Sequence, residues 1–304
     1  MERVLSWLNR PLPPGPSIRI WMVLSGVLVL LALAGVFTVL GRKKKHHPGA
    51  EMPDTECPEP PEWVLANLQG LGNREEQQDA FGISPMDRYE TEGILAVLCD
   101  GMGGMAEGGK IAAETAAELV SLFPWAQDSQ VLHWIRQRSA RVYRQFRGHG
   151  GTTLVAAQVK GNQLSFWCVG DSDLFLLRAG KLYSLNIRQE YQNVLVLRAL
   201  DGAFPVEEAF LDPQAGALSE YIGKEEVNCD FSRIPFPLLP GDTLMLCSDG
   251  ISDTLTRKQI REAMTRPPQV CCDNLEREIL SAGKPNQDNY TAIVLNYHGK
   301  GAEE

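Results

Sequence analysis

Apolar positions follow two regimes along this chain. Ile20 to Leu40 (IWMVLSGVLVLLALAGVFTVL) is one unbroken apolar run without a charge, and at about 1.5 Å per residue a helix of that length crosses the ~30 Å hydrocarbon core of a bilayer. From Glu62 to about His298 the runs are short and rich in β-branched or aromatic residues: ILAVLCD, GTTLVAAQV, LSFWCVGD, DLFLLR, DTLMLCSD and YTAIVLNY, separated by Gly, Asp and Asn. Runs of that kind predict strands. Helical spacing interrupts them at Gly109 to Phe123, where Ile111, Ala112, Ala116, Leu119 and Val120 share one side. It recurs at Ser129 to Phe146 behind an Asp128 cap, around Lys258 to Met264, and at Cys272 to Leu280. Strand runs followed by helices, rather than strict alternation, predict an α+β fold of mainly antiparallel sheets flanked by helices.

Between the two regimes, His46 to Pro61 carries Pro48, Pro53, Pro58, Pro60 and Pro61 with no apolar periodicity, and reads as a stiff tether. The predicted organisation is an N-terminal segment (1–19), a transmembrane helix (20–40), a basic then Pro-rich tether (41–61), a folded domain (62–298) and a short tail (299–304). Ala32-Leu33-Ala34 has the form of a signal-peptidase site, but the apolar run continues past it and meets Arg42-Lys43-Lys44-Lys45. An anchor therefore fits better than a cleaved leader. Basic residues concentrated behind the span place the C-terminal body in the cytoplasm.

Charge and cysteine content sharpen this picture. The net charge of −9 divides into +6 on residues 1–50 and −15 on the remainder, which argues against nucleic acid as a partner and favours metal cations. The seven cysteines (Cys57, Cys99, Cys168, Cys229, Cys247, Cys271, Cys272) form no CxxC pair and mostly lie in apolar runs. They read as reduced, buried thiols.

Two candidate chemistries present themselves. Gly104 to Lys110 has the spacing of a phosphate-binding loop, but Ile111 offers no hydroxyl for Mg2+ and Glu107 would face the phosphates, so that reading fails. The second is a set of aspartates at strand ends: Asp100-Gly101, Asp249-Gly250, Asp288-Asn289, and Asp79 following Arg74. Each alone is explained as a turn former. Their recurrence at the rims of buried strands points instead to carboxylates that a cation must neutralise. The histidines (His46, His47, His133, His149, His298) show no ligand spacing, leaving an all-oxygen site suited to Mg2+ or Mn2+.

At these residues the chain resembles the metal-dependent (type 2C, or PPM) serine/threonine protein phosphatases of bacterial type. The motifs, in order, are RxxxxDAF at Arg74 to Phe81, VLCDGMGG at Val97 to Gly104, GGTTLVAAQV at Gly150 to Val159, VGDSDLFLLRAGKL at Val169 to Leu182, GDTLMLCSDGISD at Gly241 to Asp253, and QDNYTAIVL at Gln287 to Leu295. The resemblance implies a four-layer α-β-β-α sandwich of two mainly antiparallel sheets holding a metal cluster at one end. It further implies two divalent ions, Mn2+ or Mg2+, with a third as an extra. Carried over, Asp100 bridges both ions, the Gly101 carbonyl binds one, Asp249 and Asp288 complete the set, and Asp79, counted with the metal residues, orients the metal-bound water. Arg74 grips the substrate phosphate. Asp171 and Asp253 match positions that hold the additional metal, though a turn role after a strand serves each equally.

The implied activity is hydrolysis of phosphoserine and phosphothreonine in a protein partner, opposite a Ser/Thr kinase, through a water activated by two ions. A different class, an inactive membrane-anchored binding module, is the alternative; the presence of Arg74, Asp79, Asp100, Asp249 and Asp288 together argues for activity. Departures from the family pattern are Gln78 for a metal-binding Glu, Met102 for the His after Asp-Gly, and Asp173 for the Arg of GDSR, which is expected to remove a basic group near the cleft. Arg188 to Gly223 matches poorly and is expected to form the variable flap that sets substrate choice.

Overall fold

The computed structural model describes residues 62–102 and 107–299. The predicted span at 20–40, the tether at 41–61 and Cys57 lie outside them. Among the described residues no helix is long and apolar enough to cross a membrane.

In chain order the elements are β1 (Trp63–Gly70), β2 (Asp79–Ile83), α1 (Tyr89–Glu92), β3 (Ile94–Asp100), α2 (Gly108–Ser121), α3 (Asp128–Phe146), β4 (Leu154–Lys160), β5 (Gln163–Val169), β6 (Asp173–Arg178) and β7 (Lys181–Ser184). There follow α4 (Tyr191–Leu200), α5 (Val206–Leu211), β8 (Asp230–Phe231), β9 (Phe236–Pro237), β10 (Thr243–Cys247), α6 (Asp249–Ser252), α7 (Arg257–Met264), α8 (Pro268–Ala282) and β11 (Tyr290–Tyr297). One sheet runs β1-β11-β10-β6-β7 and the other β2-β3-β4-β5-β8, with β9 also on β5. Every pairing is antiparallel.

Strand periodicity explains why two sheets stack and helices cover them. Because successive side chains point to opposite faces, Ile94, Ala96 and Leu98 of β3 enter the core between the sheets, while Leu95, Val97 and Cys99 pack with Ile111, Leu119 and Ile135 of α2 and α3. On the other sheet Leu244, Leu246, Ile293 and Leu295 face the same central core. Their neighbours Met245, Cys247, Ala292 and Val294 pack with Ile260, Leu275 and Ile279 of α7 and α8. Strands buried on both faces lose the apolar-polar alternation of a half-exposed sheet, which is why they appear as continuous apolar runs. The result is the expected α+β fold of two antiparallel sheets with helices outside each.

Two expectations need correction. Asp128 does not cap α3: the cap is Gln127, with extended backbone and a reciprocal capping box to Gln130, while Asp128 Oδ2 accepts from Ser165 Oγ at 3.0 Å. Asp249 does not end a strand. β10 stops at Cys247, Ser248 is the N-cap, and Asp249 opens α6. The 188–223 segment, expected as a variable flap, also contains two helices that were not predicted, α4 and α5.

Candidate active site

Hydrogen-bond register brings the first two aspartates together. In the β2–β3 pair Asp79 stands directly opposite Asp100, so their side chains share a face. The Asp100 backbone is held on both sides, its N–H donating to Thr153 Oγ1 at 2.9 Å and its carbonyl accepting from Thr153 N and Thr152 Oγ1, each at 2.8 Å. Gly101 follows where only glycine fits, since a Cβ there would lie 2.5 Å from the Gly108 carbonyl group at the start of α2. Asp79 Oδ2 accepts from Ser248 Oγ at 2.8 Å. That serine immediately precedes Asp249, so one hydroxyl joins the two sheets at their rim.

The second pair is assembled by close backbone approach. A Cβ on Gly250 would come within 1.9 Å of the Asn289 carbonyl oxygen, so Asp249-Gly250 lies flat against Asp288-Asn289. Gln287 Nε2 donates to the Gly250 carbonyl at 2.8 Å and fixes that contact. Asn289 then reaches the loop before β2, accepting from Gln78 N and donating to the Leu71 carbonyl, both at 2.8 Å. This loop carries Arg74, whose Nη2 donates to Asp288 Oδ2 at 2.6 Å. Arg74, expected to grip the substrate phosphate, lies beside the ligand set and contacts one of its members.

Electrostatically the cluster is under-compensated. Asp79 Oδ1 and Asp249 Oδ1 are buried without a hydrogen-bond partner. Burial, reinforced by Asp249 and Asp288, pushes Asp79 up to about 6 against the hydrogen bond from Ser248 and the nearby Thr291 hydroxyl. Burial also raises Asp100 well above the carboxylate range, with Asp79 and Asp249 adding repulsion. Asp249 is raised by burial and then by Asp253. Asp171, just past β5, is pushed up to about 7 by burial and by Asp249. Clustered buried carboxylates with orphaned oxygens are stable only when protonated or when a cation neutralises them.

Among the described residues no three His, Cys, Asp or Glu side chains are arranged as a ready metal cage. The donor chemistry nonetheless fits a hard divalent ion, with carboxylate oxygens and the Gly101 carbonyl available and no imidazole or thiolate in the cluster. The cysteines beside it do not compete as ligands: Cys99 and Cys247 are fully buried and free, their thiols pushed up by burial.

Sequence reasoning missed Ser248, Thr291, Thr153 and Gln287, which hold the acids rather than present charge. Ser248 and Gln287 lie next to predicted aspartates, and that adjacency was the available signal. It also missed Arg188. The basic group expected to be lost with Asp173 is supplied by Arg188, which binds Asp173 and also Asp253.

A family model described as protein phosphatase 2C matches residues 71–282. The chain is 29% identical over 227 residues to protein phosphatase PhpP of Streptococcus pneumoniae, covering 69% of this chain and 88% of that protein. Among solved structures, the serine/threonine phosphatase PstP/Ppp of Mycobacterium tuberculosis superposes with a TM-score of 0.64 at 27% identity, covering 78% of this chain and 99% of that one. The catalytic domain of PstP in complex with 2 manganese ions gives a TM-score of 0.59 at 25% identity, covering 77% and 97%.

Proposed function

The chain belongs to the protein phosphatase 2C family, and from that membership we propose a metal-dependent phosphatase, anchored in the membrane, that removes phosphate from serine and threonine of a protein substrate. Its enzyme class is protein-serine/threonine phosphatase. The single observation carrying the metal dependence is the pair of buried, unpartnered oxygens Asp79 Oδ1 and Asp249 Oδ1 within one carboxylate cluster.

Asp100, Asp249, Asp288 and the Gly101 carbonyl would hold two ions, Mn2+ or Mg2+. When bound, such ions supply charge neutralisation, Lewis-acid polarisation of the phosphoryl group and a water of lowered pKa. The chain's own residues do the rest. Asp79, fixed by Ser248, has a free oxygen with which to orient the attacking water. Arg74, half exposed, grips the Asp288 carboxylate through an arrangement that a phosphate dianion can replace. Its forked donors then stabilise the equatorial oxygens as charge shifts onto them.

The apolar run at 20–40 and the basic residues at 42–45 support a single anchor with the catalytic domain on the cytoplasmic side, opposite a Ser/Thr kinase. An alkaline phosphatase fused to the C-terminus then stays in the cytoplasm and is inactive; a fusion active in the periplasm contradicts the topology. For the chemistry, the full chain in detergent with Mn2+ is given phosphoserine, phosphothreonine and phosphotyrosine peptides. Release is expected from the first two, and preference for phosphotyrosine contradicts the reading.

A further inference from the structure

Arg188, at the head of the 188–223 segment, is satisfied at every donor nitrogen. Its Nε donates to Asp173 Oδ1 and Oδ2 at 3.3 and 3.2 Å. Nη2 donates to Asp173 Oδ2 at 3.0 Å and to Ser252 Oγ at 2.6 Å. Nη1 donates to Asp253 Oδ1 at 2.8 Å and to Glu190 Oε1 at 3.2 Å. Three carboxylates and a hydroxyl thus converge on one guanidinium.

Several features make this a built arrangement. Asp173 is buried, 5% exposed, in the first position of β6, and a buried carboxylate without a partner is strongly destabilising. Asp253 directly follows α6, the helix that Asp249 opens. The guanidinium therefore bridges the start of β6 and the end of α6, with about a quarter of its side chain exposed. Its charge also reaches Asp171 and Asp249, where it opposes the upward push of burial. Arginine suits the position because its planar fork serves several acceptors at once and its charge is not lost at any accessible pH.

We infer that Arg188 is a built-in cation that takes the place of an additional metal at Asp253 and ties the start of the 188–223 segment to α6. This rests on the reading of the neighbouring cluster as a two-ion site. The residues beside Asp253 do not favour a further ion: its Oδ1 is already bonded to Arg188 at 2.8 Å, and an ion on the remaining oxygen would lie against a fixed positive charge. Arg188 is on this account a positioning residue, acting through Asp173, Asp253 and Ser252.

Equilibrium dialysis of the full chain in detergent against Mn2+, with metal counted by mass spectrometry, tests this without reference to turnover. Two Mn2+ per chain are expected at saturation, and two again for Arg188→Lys, which keeps the charge. Arg188→Met should gain a third, weaker ion that Arg188→Met combined with Asp253→Asn loses. Three ions in the wild type, falling to two in Asp253→Asn, overturn the inference while leaving the two-ion site standing. A folded Arg188→Met that still holds two overturns it as well. Should Arg188→Met fail to fold, the wild type and Asp253→Asn, altered at a half-exposed side chain, decide the matter. A wild type holding no Mn2+ overturns both the two-ion reading and this inference.

Discussion

Two acidic groups sit at the two ends of α6 and are neutralised in opposite ways. At its start, Asp249 belongs with Asp79, Asp100 and Asp288, a cluster with two orphaned oxygens, in which burial raises the carboxyls of Asp79, Asp100 and Asp249. Just past its end, Asp253 belongs with Asp173 and Glu190, all bound by Arg188. The second group is held by one guanidinium that bonds all three of its carboxylates; the first has only Arg74, on Asp288, and leaves oxygens of Asp79 and Asp249 unpartnered. Equal residue types in one fold therefore differ in what they demand from solution. That demand, rather than the count of carboxylates, distinguishes a place for exchangeable ions from a structural ion-pair network.

The sharpest way to break the comparison is to remove the central carboxylate of the uncompensated cluster. Asp100→Asn should lower phosphate release by ~1,000-fold or more and reduce Mn2+ bound, with an unchanged circular dichroism spectrum. Near-normal turnover would contradict the assignment of Asp100.

Arg74→Ala comes next. Losing a forked phosphate contact should remove about 2 to 4 kcal/mol of transition-state stabilisation, read as a fall in kcat/KM with Mn2+ affinity retained. An increase in KM alone would mean a contact equally strong in ground and transition states. A kcat/KM equal to that of wild type would remove Arg74 from the site.

The pH dependence of stability separates the two groups without any mutation. Asp79 at about 6 and Asp171 at about 7 lie above their ordinary value of 3.8. The folded chain therefore binds protons that the unfolded chain has released, and this contribution to stability is lost as pH rises from about 4 to about 7. Saturating Mn2+ should restore it, raising Tm by ~5 to 10 °C at pH 7.5 and by less at pH 5. Calorimetry with EDTA and with Mn2+ checks this, and a Tm difference independent of pH would contradict it.

The smallest effect is expected at the thiols behind the cluster. Cys99 precedes Asp100 and Cys247 ends β10, yet both are buried with raised pKa values. Iodoacetamide at neutral pH should leave the native chain unmodified there and fully active, because the thiolate is the reactive form. Modification at either cysteine with loss of activity would mean the site opens further than its packing shows.

How legible the molecule was in its sequence depended on burial. The strands buried on both faces, such as Ile94–Asp100 and Tyr290–Tyr297, stand out as apolar runs, and the acids at their ends mark the site. The outer strand Trp63–Gly70 alternates poorly because Asn67 and Gln69 continue the face that Trp63 and Leu65 turn to the central core, so that face changes from apolar to polar along the strand, and it was not predicted. The Asp79–Asp100 pairing depends on register, which residue spacing alone did not specify. Arg188 was hidden for a related reason: its partners Asp173, Ser252 and Asp253 lie 15, 64 and 65 positions away, and only the folded chain brings them together.

The central claim is that the uncompensated cluster works only with divalent ions drawn from solution. Its most direct test is phosphate release from a phosphothreonine peptide by the full chain, measured in EDTA and again after Mn2+ is restored in excess. The account predicts no release above background in EDTA and full recovery with Mn2+. Undiminished release in EDTA, from a chain shown to contain no bound metal, would contradict it.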